Sequence, residues 1–264
     1  MARLYCPKES IHGEQIIIDE RRQIHYLRDV LRLKVGDAVF VFDGEANEYL
    51  CQIQESSKRL VKLLVKEKMQ IKPQVSKCEL AVACALPKQK NRFDDLVDKL
   101  SQLGVNKIIP MITKRTIIQW DSHQKQQHHL RWCKIAQAAC SQSGRNLLAV
   151  IEPVKEINQI LTHSEFYDLK LIPTLTLETQ PLKDIILKPL PRPSSTTMFC
   201  LKEGRGLPKS ILILIGPEGD FTAQELTQAR NAGFIPVSLG DLVLRVDTAA
   251  IAVAAFFRLW GWEG

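Results

Sequence analysis

Twice near its carboxyl end this chain runs a short apolar strand straight into a glycine turn, and that repetition constrains the fold more than any bulk property. The first passage is Ile211-Leu-Ile-Leu-Ile215 followed by Gly216-Pro217-Glu218-Gly219. The second is Phe234-Ile-Pro-Val237 followed by Ser238-Leu239-Gly240, leading through Leu244-Arg245-Val246-Asp247 into Thr248. Each turn is followed by helix-start chemistry. Thr222-Ala-Gln-Glu225 has capping-box spacing and predicts a helix from Ala223. Thr248 is placed to cap a helix over Ala249–Leu259, whose alanines allow close packing. Buried strands alternating with helices imply an α/β unit with a mainly parallel sheet covered on both faces. Ligands of such sheets sit beyond the carboxyl ends of the strands, where both glycine turns fall. Side by side, the turns would form a cleft of main-chain donors and acceptors suited to a planar, polar ligand such as an adenosine.

The residues in the turns narrow the ligand. Gly216 and Gly219 open backbone angles closed to other residues and let a ligand approach the main chain, although any tight strand-to-helix turn needs glycine. The chain has no G-x-x-x-x-G-K-[ST], and neither turn carries G-x-G-x-x-G. Glu218 would repel a triphosphate, whereas a carboxylate suits a ribose hydroxyl or a cationic ligand. S-Adenosylmethionine offers an adenine, a ribose and a sulfonium cation without phosphates. The second turn adds a cation, Arg245, and a carboxylate, Asp247.

Charge points to a partner. Residues 1–72 carry 13 Lys and Arg against 11 Asp and Glu, residues 77–145 carry 12 against 5, and residues 146–264 carry 11 against 13. The basic excess therefore sits in the middle segment, as expected of a surface facing a phosphate backbone. Seven scattered cysteines without a C-x-x-C argue against a disulfide framework or a zinc ribbon. His123, His128 and His129 lie in a Gln-rich stretch without a Cys or carboxylate at ligand spacing, so no metal is expected. The longest apolar run, Ala249 to Phe257, is interrupted by Arg258 and is too short to span a bilayer. With no secretion-signal pattern at the start, the expected location is the cytoplasm.

Periodicity divides the chain at a polar stretch, Lys66 to Lys77, into a β-rich unit over 1–72 and an α/β unit over 73–264. In the first, strands are expected at Ile16–Ile18, Ala38–Phe42, Tyr49–Gln54 and Leu60–Val65. A helix is expected over Glu20–Arg32 and a hairpin turn at Asp43-Gly44, together suggesting a small barrel. In the second, strands are expected at Glu79–Leu86, Lys107–Ile112, Leu147–Ile151 and Leu169–Leu175. Helices are expected over Phe93–Leu103, capped by Gly104, and over Ser122–Ser143, stopped by Gly144. Pro189 to Thr197, with three prolines, reads as an exposed loop.

Taken together, G-P-E-G-D-F-T-x-x-E (Gly216 to Glu225) and S-L-G-x-x-x-L-R-x-D-T-A (Ser238 to Ala249) resemble the RsmE family of knotted SPOUT-type methyltransferases. Earlier blocks agree in order: His25-Tyr-Leu-Arg-Asp-Val-Leu-Arg32-Leu-Lys-Val-Gly-Asp37 with Phe42-Asp43-Gly44, then Ala85-Leu-Pro-Lys88, Leu103-Gly-Val-Asn106, Lys114-Arg115 and Gln142-Ser-Gly-Arg145. The resemblance covers nearly the whole chain. It implies a PUA-like barrel, an α/β domain with a C-terminal trefoil knot, a homodimer, and S-adenosylmethionine as cofactor. The implied reaction methylates N3 of a uridine in 16S rRNA of the assembled or nearly assembled 30S subunit.

By position, the resemblance assigns cofactor contacts to Ile215, Gly216, Glu218, Gly219, Leu239, Gly240, Leu244, Arg245 and Thr248. Charge developing on the uracil makes Arg245 the first candidate for a stabilising cation, with Asp247 or a water taking the imide proton. Arg3, Arg28, Arg32, Lys88, Arg115 and Arg145 are candidates for holding RNA phosphates. The chain departs from the family pattern at Gln102 and Asp247 (usually Glu), at Asp220 (usually Gly) and at Ser141 (often acidic). Two alternatives remain open at this point: a non-catalytic RNA-binding or ribosome assembly factor, and a SPOUT methyltransferase acting on another RNA nucleotide.

Overall fold

The computed structural model describes residues 2–69, 78–175, 179–187 and 208–260. The chain divides into two compact units, Met1–Val75 with Gln137–Leu148, and Ser76–Ala136 with Ala149–Gly264. The division expected at 72/73 is thus crossed a second time.

The first unit holds β1 (Ala2–Tyr5), β2 (Ile11–His12), β3 (Gln15–Ile18), α1 (Arg21–His25), β4 (Ala38–Phe42), β5 (Glu48–Ser56) and β6 (Val61–Met69). They make one sheet in the order β1-β4-β5-β6-β3-β2, with β1 parallel to β4 and the other neighbours antiparallel. The edge strands β1 and β2 do not pair with each other, so the expected barrel is an open half-barrel. Alternation along the strands sends Ile16, Ile18, Val39, Val41, Ile53, Val61 and Leu63 into one core. The helix expected over Glu20–Arg32 is not uniform. After α1 the backbone widens into a π turn, Tyr26–Val30, through which both Ile24 and Leu27 reach the core, and Arg32 leaves it at φ +54°.

Asp43-Gly44 opens a loop longer than a two-residue turn, because the Asp43 carboxylate accepts from the Glu45 and Asn47 amides at 2.8 and 3.1 Å. Strand β6 runs on to Met69, so the expected boundary begins inside a strand, and residues 70–77 lie outside the described residues. Segment Gln137–Leu148 joins this unit through hydrogen bonds. The Arg3 guanidinium donates to the carbonyls of Cys140 and Arg145 at 2.8 and 3.0 Å, and Leu148 N donates to Gly44 O at 3.0 Å.

The second unit holds β7 (Glu79–Ala85), α2 (Lys90–Gln102), β8 (Lys107–Ile112), the start of α3 (Ser122–Ser143), β9 (Val150–Ile151), β10 (Lys155–Glu156) and α4 (Ile157–Thr162). It continues with β11 (Leu169–Pro173), β12 (Gln180–Pro181), α5 (Leu182–Leu187), β13 (Ser210–Ile215), α6 (Ala223–Asn231), β14 (Ile235–Ser238) and α7 (Val246–Trp260). The sheet is parallel throughout, in the order β10-β8-β7-β13-β11-β14-β12, with β9 also paired to β8. Both faces are covered, which is why its central strands read as unbroken apolar runs. Ile211, Ile213 and Ile215 of β13 join a core with α2, α3 and α7, while Leu212 and Leu214 join a second core with α4 and α6.

Gly104 and Gly144 take φ of +83° and +76° after α2 and α3, as their capping positions require. Helix α6 begins at Ala223 with both arms of the Thr222–Glu225 capping box made. Helix α7 begins earlier than expected, at Val246. Its buried stripe of Val246, Ala249, Ala250 and Val253 already starts there, and Arg245 O accepts from Ala249 N at 2.8 Å. Thr248 is therefore in the first turn and is not the cap. The strand expected over Leu147–Ile151 shortens to Val150–Ile151, because Leu147 and Leu148 belong to the first unit. The loop expected at Pro189–Thr197 lies outside the described residues. No helix among the described residues is long and apolar enough to cross a membrane.

Candidate functional site

Strand β11 lies between β13 and β14, so the two glycine turns flank its exit at Thr174-Leu175. Together they flank an open cleft of about 570 Å³, counting the solvent in its mouth. Six residues of the expected cofactor set line it: Ile215, Gly216, Glu218, Leu239, Gly240 and Leu244. Pro173, Thr174 and Leu175 form the wall from β11, and Leu242 and Val243 form an exposed apolar lip. Among the described residues of the lining, Glu218 and Asp220 are charged and no Lys, Arg or His occurs. A wall of this kind favours a cationic ligand over a phosphate.

Each turn has its own supports. At Gly216 a side chain is impossible without movement, since a Cβ there would lie 2.8 Å from the Phe221 ring. Neither Gly216 nor Gly219 has a positive φ, so unusual backbone angles are not why they are glycine. Asp220 does have one, at +61°. Its carboxylate accepts from Thr174 Oγ1 at 2.7 Å, Leu175 N at 3.1 Å and Phe221 N at 2.8 Å. Buried Glu225 accepts from Thr222 N, Thr222 Oγ1 and Lys114 N, each at 2.8 Å. Arg115 donates from Nη1 to the carbonyls of Gly219, Asp220 and Phe221. In the second turn Gly240 takes φ +118°, and its N–H donates to Ser238 Oγ at 3.1 Å.

The other expected residues fall into distinct places. Gly219 is exposed and outside the lining, with its carbonyl held by Arg115. Arg245 is exposed beside the lining residue Leu244, and its guanidinium has no partner among the described residues. Asp247 is half-buried and accepts from Thr248 N at 2.9 Å. Thr248 is exposed and is not part of the lining.

Of the expected phosphate contacts, Arg3 and Arg145 are corrected. Arg3 pairs with Glu48, lies over the Phe42 ring at 4.1 Å and keeps 12% of its side chain exposed, and Arg145 is buried. Arg28 is half-buried in the π turn, and Arg32 and Lys88 are exposed. Arg115 is exposed but holds the first glycine turn. No cluster of metal ligands occurs among the described residues. Sequence reasoning missed the β11 exit and the three-carbonyl grip of Arg115. The order of strands in a sheet leaves no local signal, whereas the Lys114-Arg115 block did mark the second.

Comparison with known proteins fits this geometry. The family described as RNA methyltransferase domain matches residues 74–258, and the RNA methyltransferase PUA domain matches residues 18–66. The chain is 30% identical over 272 aligned residues to ribosomal RNA small subunit methyltransferase E of Rickettsia conorii, covering 98% of this chain and 96% of that one. It is 26% identical to the protein of the same name from Bacillus subtilis, covering 93% and 88%. Among solved structures, a methyltransferase of Legionella pneumophila with bound SAM superposes with a TM-score of 0.83 at 25% identity, covering 98% and 97%. Ribosomal RNA small subunit methyltransferase E of Neisseria gonorrhoeae, bound to S-adenosylmethionine, gives 0.81 at 25%, covering 98% of each chain. The half-barrel is accordingly PUA-like, and the parallel sheet with its helices has the SPOUT fold. With both family matches in chain order and a relative aligned end to end, the chain belongs to the ribosomal RNA small subunit methyltransferase E family of RNA methyltransferases.

Proposed function

We propose that the protein is an S-adenosylmethionine-dependent methyltransferase acting on N3 of a uridine in 16S rRNA, uridine 1498 in conventional numbering. Its substrate is the assembled or nearly assembled small subunit in the cytoplasm. It acts as a homodimer whose carboxyl-terminal loops are knotted. The observation that carries this reading is the anionic cleft between the glycine turns, set in a chain of this family.

The lining fits the cofactor group by group. Glycine and carbonyl-rich turns leave main-chain groups for an adenine edge, Leu239, Leu244 and Ala249 give apolar contact, and Glu218 suits ribose hydroxyls or the cation. When bound, the cofactor supplies a methyl group activated on a sulfonium centre. The chain's residues do the rest. Uridine N3 must lose its imide proton, and the negative charge then spreads over the uracil carbonyl oxygens. Arg245 is an exposed cation beside Leu244, available to stabilise that charge as it develops. Asp247 or a water takes the proton. Orientation by the two turns supplies the remaining advantage, since holding reactants in line replaces a costly encounter. Arg28, Arg32 and Lys88 hold the RNA backbone, which positions the substrate without reading its sequence.

The test is mass spectrometry of 16S rRNA fragments from cells with and without this protein, followed by methylation in vitro of free 16S rRNA and of 30S subunits. Loss of one methyluridine on deletion, restored by the purified protein on subunits, is the expected result. An unchanged methylation pattern refutes the assignment.

A further inference from the structure

Asp220 occupies a backbone conformation in which glycine is free and most side chains are strained, with φ +61°. Among the residues lining the cleft it is the one with a left-handed backbone that is not glycine. Its carboxylate accepts three hydrogen bonds in return. Oδ2 accepts from Thr174 Oγ1 at 2.7 Å and Leu175 N at 3.1 Å, and Oδ1 accepts from Phe221 N at 2.8 Å. Thr174 is itself buried, and its N–H donates to Val237 O of β14 at 3.1 Å. One side chain thus connects the first glycine turn, the exit of β11 and, through Thr174, the strand that feeds the second turn. Asp220, Thr174 and Leu175 all line the cleft, so this connection is part of its wall. On the other side of the turn, Arg115 grips the carbonyls of Gly219, Asp220 and Phe221.

We propose that Asp220 is a positioning residue that sets the width of the cofactor cleft by latching the exit of β11 to the first glycine turn. A glycine at this position would relax the backbone but leave the Thr174 hydroxyl and the Leu175 N–H without their acceptor. The inference rests on the cofactor reading of the cleft, and its test separates the two.

The variants are Asp220→Gly, Thr174→Val and the double substitution, all in the full chain. Calorimetry measures affinity for S-adenosylmethionine and for its neutral product S-adenosylhomocysteine, kinetics separates KM from kcat, and hydrogen exchange follows the Leu175 amide without ligand. Losing charge-assisted hydrogen bonds should weaken both ligands about tenfold in Asp220→Gly, with kcat at saturating cofactor within about threefold of the parent. Thr174→Val removes only the hydroxyl and should weaken both ligands about threefold. The double variant should bind no worse than Asp220→Gly, because the two substitutions remove a shared contact. Leu175 exchange should accelerate in Asp220→Gly. Unchanged exchange at Leu175, or a loss confined to the cationic ligand, overturns the latch. If the parent binds neither ligand while Leu175 still responds, the cofactor reading falls and the latch stands.

Discussion

Replacing Glu225 by alanine should destabilise the second unit by about 2–4 kcal/mol. Glu225 is 1% exposed, and its carboxylate accepts three hydrogen bonds, each at 2.8 Å, from Thr222 N, Thr222 Oγ1 and Lys114 N. Alanine removes the acceptor and leaves two backbone donors behind, at about 1–3 kcal/mol for each that stays buried. Lys114 is exposed, so its N–H can return to water and contributes at the low end. Thr222 is half-buried and its N–H contributes more. Loss of the Glu225 arm of the capping box falls within the same sum. For a unit of this size the loss corresponds to a fall in Tm of about 5–12 °C, read by scanning calorimetry and checked by urea unfolding. Glu225→Gln keeps the shape and one oxygen but turns a donor toward Thr222, so it should lie between alanine and the parent. A Glu225→Ala protein within about 1 kcal/mol of the parent would refute the reasoning, since it would mean that water replaces the carboxylate at no cost.

Gly216→Ala should disturb cofactor affinity and cost about 1–3 kcal/mol, because the new Cβ would lie 2.8 Å from the Phe221 ring. Gly219→Ala should stay within about 0.5 kcal/mol, its Cβ meeting only Arg115 Cδ at 3.5 Å; the opposite ranking in urea unfolding and calorimetric binding would contradict the packing described. Arg245→Ala should lower kcat about a hundredfold while cofactor affinity stays within about threefold, and activity close to that of the parent would remove Arg245 from the reaction. Burial raises the thiol pKa of Cys6 to about 11 and that of Cys51 to about 12 by stabilising the neutral form. In peptide mapping at pH 8, Cys6 should alkylate about a hundredfold and Cys51 about a thousandfold more slowly in native than in unfolded protein. Because these folded pKa values exceed the unfolded ones, the stability they contribute is complete below about pH 9 and is lost as pH climbs through 11 and 12.

Local chemistry made much of this protein legible. The Thr222–Glu225 spacing located the start of α6, and Gly104 and Gly144 located the ends of α2 and α3, because caps depend on neighbours in sequence. Alternation in Tyr49–Gln54 and the apolar runs of β7 and β13 marked strands for the same reason. What escaped was set by long-range partners. Thr174 became part of the cleft because β11 lies between β13 and β14, and nothing near residue 174 signals that neighbour. Arg3 looked like any surface arginine until its guanidinium met carbonyls more than a hundred residues away. Gly219 was singled out as a contact because a glycine in a strand-to-helix turn lets a ligand approach the main chain, yet its carbonyl is held by Arg115.

The PUA-like unit is discontinuous in sequence, and that governs how it can be cut from the chain. A fragment ending at residue 75 would lack Gln137–Leu148, leaving the Arg3 guanidinium without two of its acceptors and the Gly44 carbonyl without the Leu148 amide. Such a fragment contains every strand and the apolar core of the half-barrel and still lacks hydrogen-bond partners of its first strand and its β4–β5 loop. An autonomous version of this unit has to carry the distant segment, supplied through a linker or as a second peptide.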